Sequence, residues 1–292
     1  MKLFVTIYND ATLLEHFLRH YTTAGIDEFF IAAGPEWEGN VRQFTDQYPI
    51  VLCTDLPILN SLYGSAPIFD MRLRHQGKNE WVVIADLDEF VEFPDKIDRL
   101  TAEAERDGAN VIRGIMHDRF SADGSLATFG QGSDLSAVFP VKSRFIRDVM
   151  RGCDHKGVLV KGHLDSPPTA GHHRFNGERV AKRILEISHY KWIPGSVDRV
   201  RTAYGIVTEL GISWAVEYKR VLDHYDAHGR FAWEEFGGQL ADRFRMEPPA
   251  RCTDCGAPVW DGERGYALRH FGSILCRADQ LSRREGGPRN RH

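Results

Sequence analysis

The sequence predicts an α/β protein built on an open sheet, and three observations carry that prediction. Strand-like and helix-like stretches alternate from the first residue. The run Val82-Val83-Ile84-Ala85 has no polar alternation, as a parallel strand covered on both faces requires. That run then leads straight into Asp86-Leu87-Asp88-Glu89. Ligands of open α/β sheets bind in the crevice outside the carboxyl ends of the strands, so a carboxylate pair there marks a candidate site.

The elements follow in order. Leu3–Ile7 is a short apolar strand, and Tyr8-Asn9-Asp10 is its turn. Asp10 can cap a helix whose apolar face is Leu13, Leu14, Phe17, Leu18 and Tyr21, with Thr12 and Glu15 at capping-box spacing. Gly25 ends that helix. Phe29–Ala32 and Ile50–Cys53 are the next strands, the latter running to Asp55. This is the start of a βαβ arrangement. A polar, basic, helix-like stretch over 59–79 leads to the Trp81 strand. Asp98–Asp107 reads as a helix stopped by Gly108, and Asn110–Gly114 as a strand. His117–Asp154 is rich in Gly, Ser and Asp without periodicity, which predicts long functional loops. Two shorter strands, Gly157–Val160 and Ile184–Ser188, precede a helical pattern from Val197 to Phe244. A composition break at Glu247-Pro248-Pro249 sets off a Cys-bearing segment. The expected organisation is a core over 1–195, a helical extension over 196–246, a small module over 247–280 and a disordered tail over 281–292.

Composition excludes several classes. A chain of 292 residues can bury one sizeable core. With 27% charged residues and a net charge of −4 it lacks a nucleic-acid footprint and a polybasic membrane surface. No apolar stretch approaches the roughly 20 residues of a transmembrane segment. Met1–Ile7 reads as a strand and not as a signal peptide. Five cysteines, an odd number, favour a reducing compartment over a disulfide framework. The expectation is a cytoplasmic protein without a nucleic-acid partner.

Asp86 and Asp88, one residue apart on a chain leaving a sheet, can hold a hard divalent cation with positions left for phosphate and water. The plain alternative is an acidic strand-to-loop turn. Five of the thirteen histidines (His155, His163, His172, His173, His189) fall in one short stretch. His189, ending Ile184–Ser188, can be a third metal ligand or can simply fill a pocket. Lys191 beside it can neutralise a phosphate. His172-His173-Arg174, after Pro167-Pro168, reads as a loop that contacts phosphate or acceptor, or one that merely lies on the surface.

Several of these segments meet in one family. Tyr8-Asn9-Asp10, Leu18-x-His20-Tyr21 and Gly25-Ile26-Asp27 resemble the opening of family-2-like glycosyltransferases of the GT-A fold. Trp81 to Phe90 resembles the metal-binding strand of the family's Asp-x-Asp-Glu-Phe branch. Asp118-Arg119-Phe120 with Asp123-Gly124, His172-His173-Arg174 and His189-Tyr190-Lys191-Trp192 are similar to its later segments, so the resemblance covers about residues 3–192. It implies a GT-A mixed sheet flanked by helices and a nucleotide-diphospho-sugar donor of the UDP type. The base and ribose would lie near Thr6, Tyr8, Asn9, Asp10 and Asp55. It implies Mn2+ or Mg2+ on Asp88, with Asp86 on ribose or metal and His189 completing the shell. It also implies inversion at the anomeric carbon, with a glycan, lipid-linked or other hydroxyl acceptor. The family's usual Glu-Asp pair for the base is missing.

In glycosyl transfer the leaving diphosphate gains charge that a metal offsets, and the acceptor hydroxyl needs a carboxylate base. Asp118, expected on a loop after a Val111–Ile115 strand, is the candidate catalytic base. It can equally pair with Arg119 or cap a turn.

The last segment is separate. Cys252-x-x-Cys255-Gly256 resembles half of a zinc-ribbon or LIM-like knuckle, and Cys276-x-x-Asp279 can supply the second pair, with His270 competing as fourth ligand. A closed tetrahedral site of this kind is structural and leaves no catalytic position. Free or redox thiols are the alternative.

Three functions compete. The first is a metal-dependent glycosyltransferase. The second is a nucleotidyltransferase or haloacid-dehalogenase-like phosphatase. The phosphatase would need Thr or Val where Phe90 stands, and the nucleotidyltransferase a Gly-rich basic loop where Tyr8-Asn9-Asp10 stands. The third is a non-catalytic module recruited through the knuckle.

Overall fold

The computed structural model describes residues 1–56, 65–165, 171–244, 250–254 and 258–259. The chain opens with β1 (Lys2–Ile7), α1 (Leu14–Thr23), β2 (Glu28–Ala33), α2 (Glu38–Arg42), β3 (Ile50–Cys53), α3 (Ser65–His75) and β4 (Trp81–Ile84). β1 pairs in parallel with β2 and with β4, and β2 with β3. Both faces of this parallel half are covered, which is why its strands are continuously apolar. Leu3, Val5 and Ile7 pack in one core with Phe17, Leu18 and Tyr21 of α1. Phe4, Phe30, Val82 and Ile84 pack in the other with Ile68 and Met71 of α3.

The second half is mixed. β5 (Glu89–Glu92), α4 (Ile97–Arg106), β6 (Val111–Phe120), α5 (Leu135–Val138), β7 (Val141–Ser143), β8 (His155–Lys161) and β9 (Val180–His189) follow. β6 runs antiparallel to β7 and β8 and parallel to β9, and β9 also pairs antiparallel with β5. Gly114 of β6 and Gly157 of β8 leave no room for a side chain: a Cβ on Gly114 would stand 2.6 Å from Ile187 Cγ1, and one on Gly157 2.4 Å from Phe175 Cε2.

α6 (Ser196–Glu209) and α7 (Ala215–His228) pack against each other, and Arg220 of α7 donates to the Met150 carbonyl (2.7 Å) in a π-helical turn, Ile146–Met150. A short 3-10 turn, Trp233–Phe236, leads to β10 (Gln239–Leu240), which adds to the free edge of β7. Among the described residues the result is a ten-stranded mixed sheet flanked by helices, with strand path β10-β7-β6-β8-β4-β1-β2-β3 and with β9 and β5 branching from β6. β11 (Ala250–Arg251) and β12 (Pro258–Val259) form a separate two-stranded ribbon. No helix among the described residues is long and apolar enough to cross a membrane.

Several expectations need correcting. Asp10 does not cap α1, which starts at Leu14. Its Oδ1 instead accepts from the Thr12 amide (2.8 Å) in a turn ahead of the helix. α2, five residues long, has too little periodicity to be read from sequence. His117–Asp154 is not mainly loop, because β6 extends to Phe120 and α5, β7 and the π-helical turn follow. The helical stretch from Val197 breaks at Leu210–Trp214 and ends at His228. Cys252 is buried just after β11. Cys255, His270, Cys276 and Asp279, the other ligands of the expected knuckle, lie outside the described residues, as does the 281–292 tail.

Candidate active site

Strand register assembles the site. Asp86–Glu89 is a tight turn closed by the Glu89 amide donating to the Asp86 carbonyl (3.0 Å). β5 then pairs with β9 so that Glu89 stands opposite His189, while β6 pairs with β9 so that Asp118 stands opposite the same histidine. The Tyr190 amide donates to the Asp88 carbonyl at 2.8 Å, which locks the turn to the end of β9. Three segments far apart in sequence thus meet at His189.

The imidazole is shared between two carboxylates. Nε2 lies 3.4 Å from Asp88 Oδ2 and Nδ1 3.0 Å from Asp118 Oδ1. Asp118 also accepts from Trp192 Nε1 (2.8 Å, on Oδ1) and from the Ile146 amide (2.9 Å, on Oδ2). Trp192 is held there by aromatic packing against Phe120, Phe145 and Phe231. Burial alone would lower the His189 pKa, but the charges of Asp88 and Asp118 and their hydrogen bonds outweigh it and raise the pKa to about 9. Burial likewise works against the charged form of Asp88. The charge and hydrogen bond of His189, with Lys191 and Lys156 nearby, more than offset that and hold Asp88 well below the usual carboxylate range.

Lys156 is the unexpected member. It comes from β8 and forms ion pairs with Asp86 and with Glu89 (2.6 Å to Oε1), with its side chain 8% exposed. Burial disfavours its charge, but Asp86 and Glu89 raise its pKa above the ordinary lysine value. Asp86 is held below its ordinary value, burial being outweighed by Lys156, whereas burial dominates at Glu89 and raises it.

A cleft opens beside these groups at the carboxyl ends of β1 and β4. Its lining includes Thr6, Tyr8, Asn9, Asp10, Asp86, Asp88, Tyr190, Lys191, Arg199 and Tyr218. Arg199 of α6 reaches across to Asp10 (3.0 Å). Burial opposes the charge on Lys191, yet Tyr218, Asp88 and Asp118 raise its pKa.

Most of the residues singled out from sequence therefore come together. Asp55 does not join them: it lies at the end of β3, is paired with Arg74, and is absent from the cleft lining. Asp118 is not on a loop. It is fully buried within β6 and accepts three hydrogen bonds, so it cannot reach an acceptor hydroxyl. The His172-His173-Arg174 segment is not a surface loop throughout. His172 is buried with a positive φ of 63°, and His173 Nδ1 bonds the His155 carbonyl. Burial lowers both histidines to about 3, and only Arg174 is exposed. Sequence reading missed Lys156, Trp192 and Arg199. A lysine just ahead of the apolar run Gly157–Val160 is a usable signal for a buried counter-charge, though nothing local names its partners.

The donor set fits a divalent cation. One ligand atom from each of Asp88, Glu89 and His189 lies within 4.8 Å of the others; the two carboxylates suit Mn2+ or Mg2+, and the imidazole favours Mn2+ of the two. Asp86 and Glu89 both also face Lys156, which would share them with the ion.

No protein-family model matches the chain, and no match is found among curated proteins. Solved structures of similar chain path include a putative glucose-1-phosphate thymidylyltransferase from Bacillus anthracis, at 11% identity and TM-score 0.37, covering 70% of this chain and 94% of that one. HddC from Yersinia pseudotuberculosis matches at 9% identity and TM-score 0.36, covering 68% and 96%. A 4-diphosphocytidyl-2C-methyl-D-erythritol synthase matches at 12% identity and TM-score 0.36, covering 69% and 96%. At these scores the likenesses do not bear on what this chain binds or does.

Proposed function

We propose that the cleft binds a nucleotide-diphosphate-activated substrate through a divalent cation, and that the protein is a glycosyltransferase acting on a nucleotide-diphospho-sugar. The observation that carries this reading is the convergence of Asp88, Glu89 and His189 at the sheet edge beside the cleft. Asp88 and His189, with Glu89, would hold Mn2+ or Mg2+. Such an ion, when bound, offsets the charge that a leaving diphosphate gains.

The remaining roles belong to the chain itself. Thr6, Tyr8, Asn9 and Asp10 line the part of the cleft where a nucleoside would lie, and Lys191 offers a cation to phosphate oxygens. Lys156 supplies the counter-charge that Asp86 and Glu89 share in a buried setting. Asp118 is reassigned from catalytic base to positioning residue, since it orients His189 and contacts no open space.

Nucleotidyl transfer is the second reading, because it uses the same cation chemistry at the edge of the same kind of sheet. Against it, Tyr8-Asn9-Asp10 after β1 is neither Gly-rich nor basic, and Asp10 is already paired with Arg199. Product analysis separates the two. With Mn2+ and UDP-sugars, glycosyl transfer or donor hydrolysis releases UDP. With nucleoside triphosphates and sugar 1-phosphates, nucleotidyl transfer releases pyrophosphate. We expect UDP release that is lost in Asp88→Ala. Pyrophosphate release without UDP release would replace the first reading by the second, and neither product, together with no metal-dependent stabilisation by UDP, would end both.

A further inference from the structure

A second group of ligand-type side chains sits on α7 and the turn that follows it, and none of its members lines the cleft. His224 and His228 are four residues apart on α7 and so share one helix face. Their ring centroids are 4.7 Å apart with the planes tilted by 34°. Gly229 ends the helix at a φ of 66°, and the chain doubles back to bring Glu235 of the Trp233–Phe236 turn onto that face. Glu235 Oε1 lies 3.1 Å from His228 Nε2, and one ligand atom from each of the three residues falls within 4.8 Å of the other two.

The geometry points to a second metal site, formed by His224, His228 and Glu235, that takes a divalent transition ion of the zinc type. The hydrogen bonds of the two rings leave room for it. His228 Nδ1 lies 2.8 Å from the His224 carbonyl oxygen, and since a carbonyl only accepts, Nδ1 carries a proton. Nε2 faces Glu235 Oε1 at 3.1 Å, so an ion seated between them would take the place of the proton that Nε2 donates there, while Nδ1 stays held by a backbone carbonyl as in metal-ligating histidines. His224 Nε2 accepts the Ala232 amide at 3.2 Å, the long end of the usual range, so an ion on that nitrogen would displace a weak bond.

Donor chemistry selects the ion. Two imidazoles four residues apart with one carboxylate suit Zn2+, Co2+ or Ni2+, whereas Mg2+ and Ca2+ call for oxygen ligands. The side chains of His228 and Glu235 are 31% and 58% exposed, so water can complete the shell and the ion can exchange. Asp148 lines the adjoining cavity of about 350 Å3 together with His224 and Glu235.

An ion here would tie α7 to the Trp233–Phe236 turn. His224 and Phe236 both pack against Phe145, at 5.7 and 4.9 Å between ring centroids. The next residue, Ile146, holds Asp118 through its amide. The tie therefore braces the wall behind Asp118, although binding of the ion does not depend on what the cleft does.

The test is zinc stoichiometry and affinity of the full chain, by dialysis and elemental analysis, in wild type, His228→Ala and Glu235→Gln. All three are prepared on a Cys252→Ser background to limit thiol binding, and zinc is added as the free ion. Each variant should bind one zinc fewer per chain, or bind that equivalent more than about 10-fold more weakly. Zinc should also raise the melting temperature of the parent more than that of His228→Ala. Both substitutions are at partly exposed positions, so unchanged melting in chelator separates lost binding from misfolding. Equal zinc content and equal affinity in the parent and both variants would overturn the site.

Discussion

His189 Nδ1 lies 3.0 Å from Asp118 Oδ1 inside the sheet, and that contact decides which side of the imidazole is available. A buried carboxylate only accepts, so Nδ1 carries a proton and Nε2 is the nitrogen offered to Asp88 and to any cation. Residues that hold a ligating histidine in this way are worth about 10–100-fold in metal affinity.

Asp118→Asn should therefore weaken Mn2+ binding by about 10–100-fold while leaving the cleft residues intact. Its amide can keep a bond to His189 but would set a second donor against the Ile146 amide, at a cost of about 1–3 kcal/mol in stability. Mn2+ titration followed by paramagnetic relaxation, alongside urea unfolding, checks both. Unchanged affinity would remove Asp118 from the site.

The raised pKa of His189 has a stability consequence of definite sign. In the metal-free protein its folded value is about 9, above the ordinary 6.5 or so. Protonation therefore favours the folded state. The contribution is fully present below about pH 6.5 and is lost as pH rises through about 9, amounting to about 3 kcal/mol at most. Urea unfolding of wild type and His189→Gln in chelator should show a gap that narrows between these limits. A gap that stays constant with pH would contradict the charge pairing.

Lys156→Met leaves Asp86 and Glu89 without their counter-charge in a buried setting. Loss of one partner of a buried pair costs about 3–5 kcal/mol. Adding Glu89→Gln to Lys156→Met should recover part of that loss, because one of the stranded charges is then neutral. Additive costs in the double variant would show that Lys156 and Glu89 do not interact.

Gly114→Ala and Gly157→Ala should each destabilise the protein by about 1–3 kcal/mol through overpacking, since the new methyl meets Ile187 or Phe175 well inside contact distance. Thermal unfolding reads this directly. Neutral substitutions would mean that β6, β8 and β9 are packed more loosely than described.

What the sequence revealed follows from whether a residue's partner is local. β1, β2 and β4 were legible because burial on both faces leaves continuous apolar runs, and β3, half-buried at the sheet edge, is a short apolar run as well. Asp88 and His189 were legible because each ends such a run. β6 was not read to its end because Met116-His117-Asp118-Arg119 is polar yet buried. Its polar groups face partners from other segments: His117 Nδ1 lies 3.4 Å from Glu186, His189 bonds Asp118, and Arg119 donates to the Phe139 carbonyl. Those partners are set by register, which a local pattern does not encode. The same holds for Lys156, whose partners lie some 70 residues earlier.

β10 is only two residues long, yet it occupies the outer edge of β7. A bare strand edge is a template for pairing with another molecule. The turn before β10 also brings Phe231 and Phe236 over Phe120 and Phe145. A chain cut after residue 195 would thus present an open edge beside an uncovered aromatic surface, and its fate would be self-association in place of a smaller working core. The segment from Phe231 to Leu240 acts as the latch of the sheet, and a shortened form of this protein has to keep that latch or supply another.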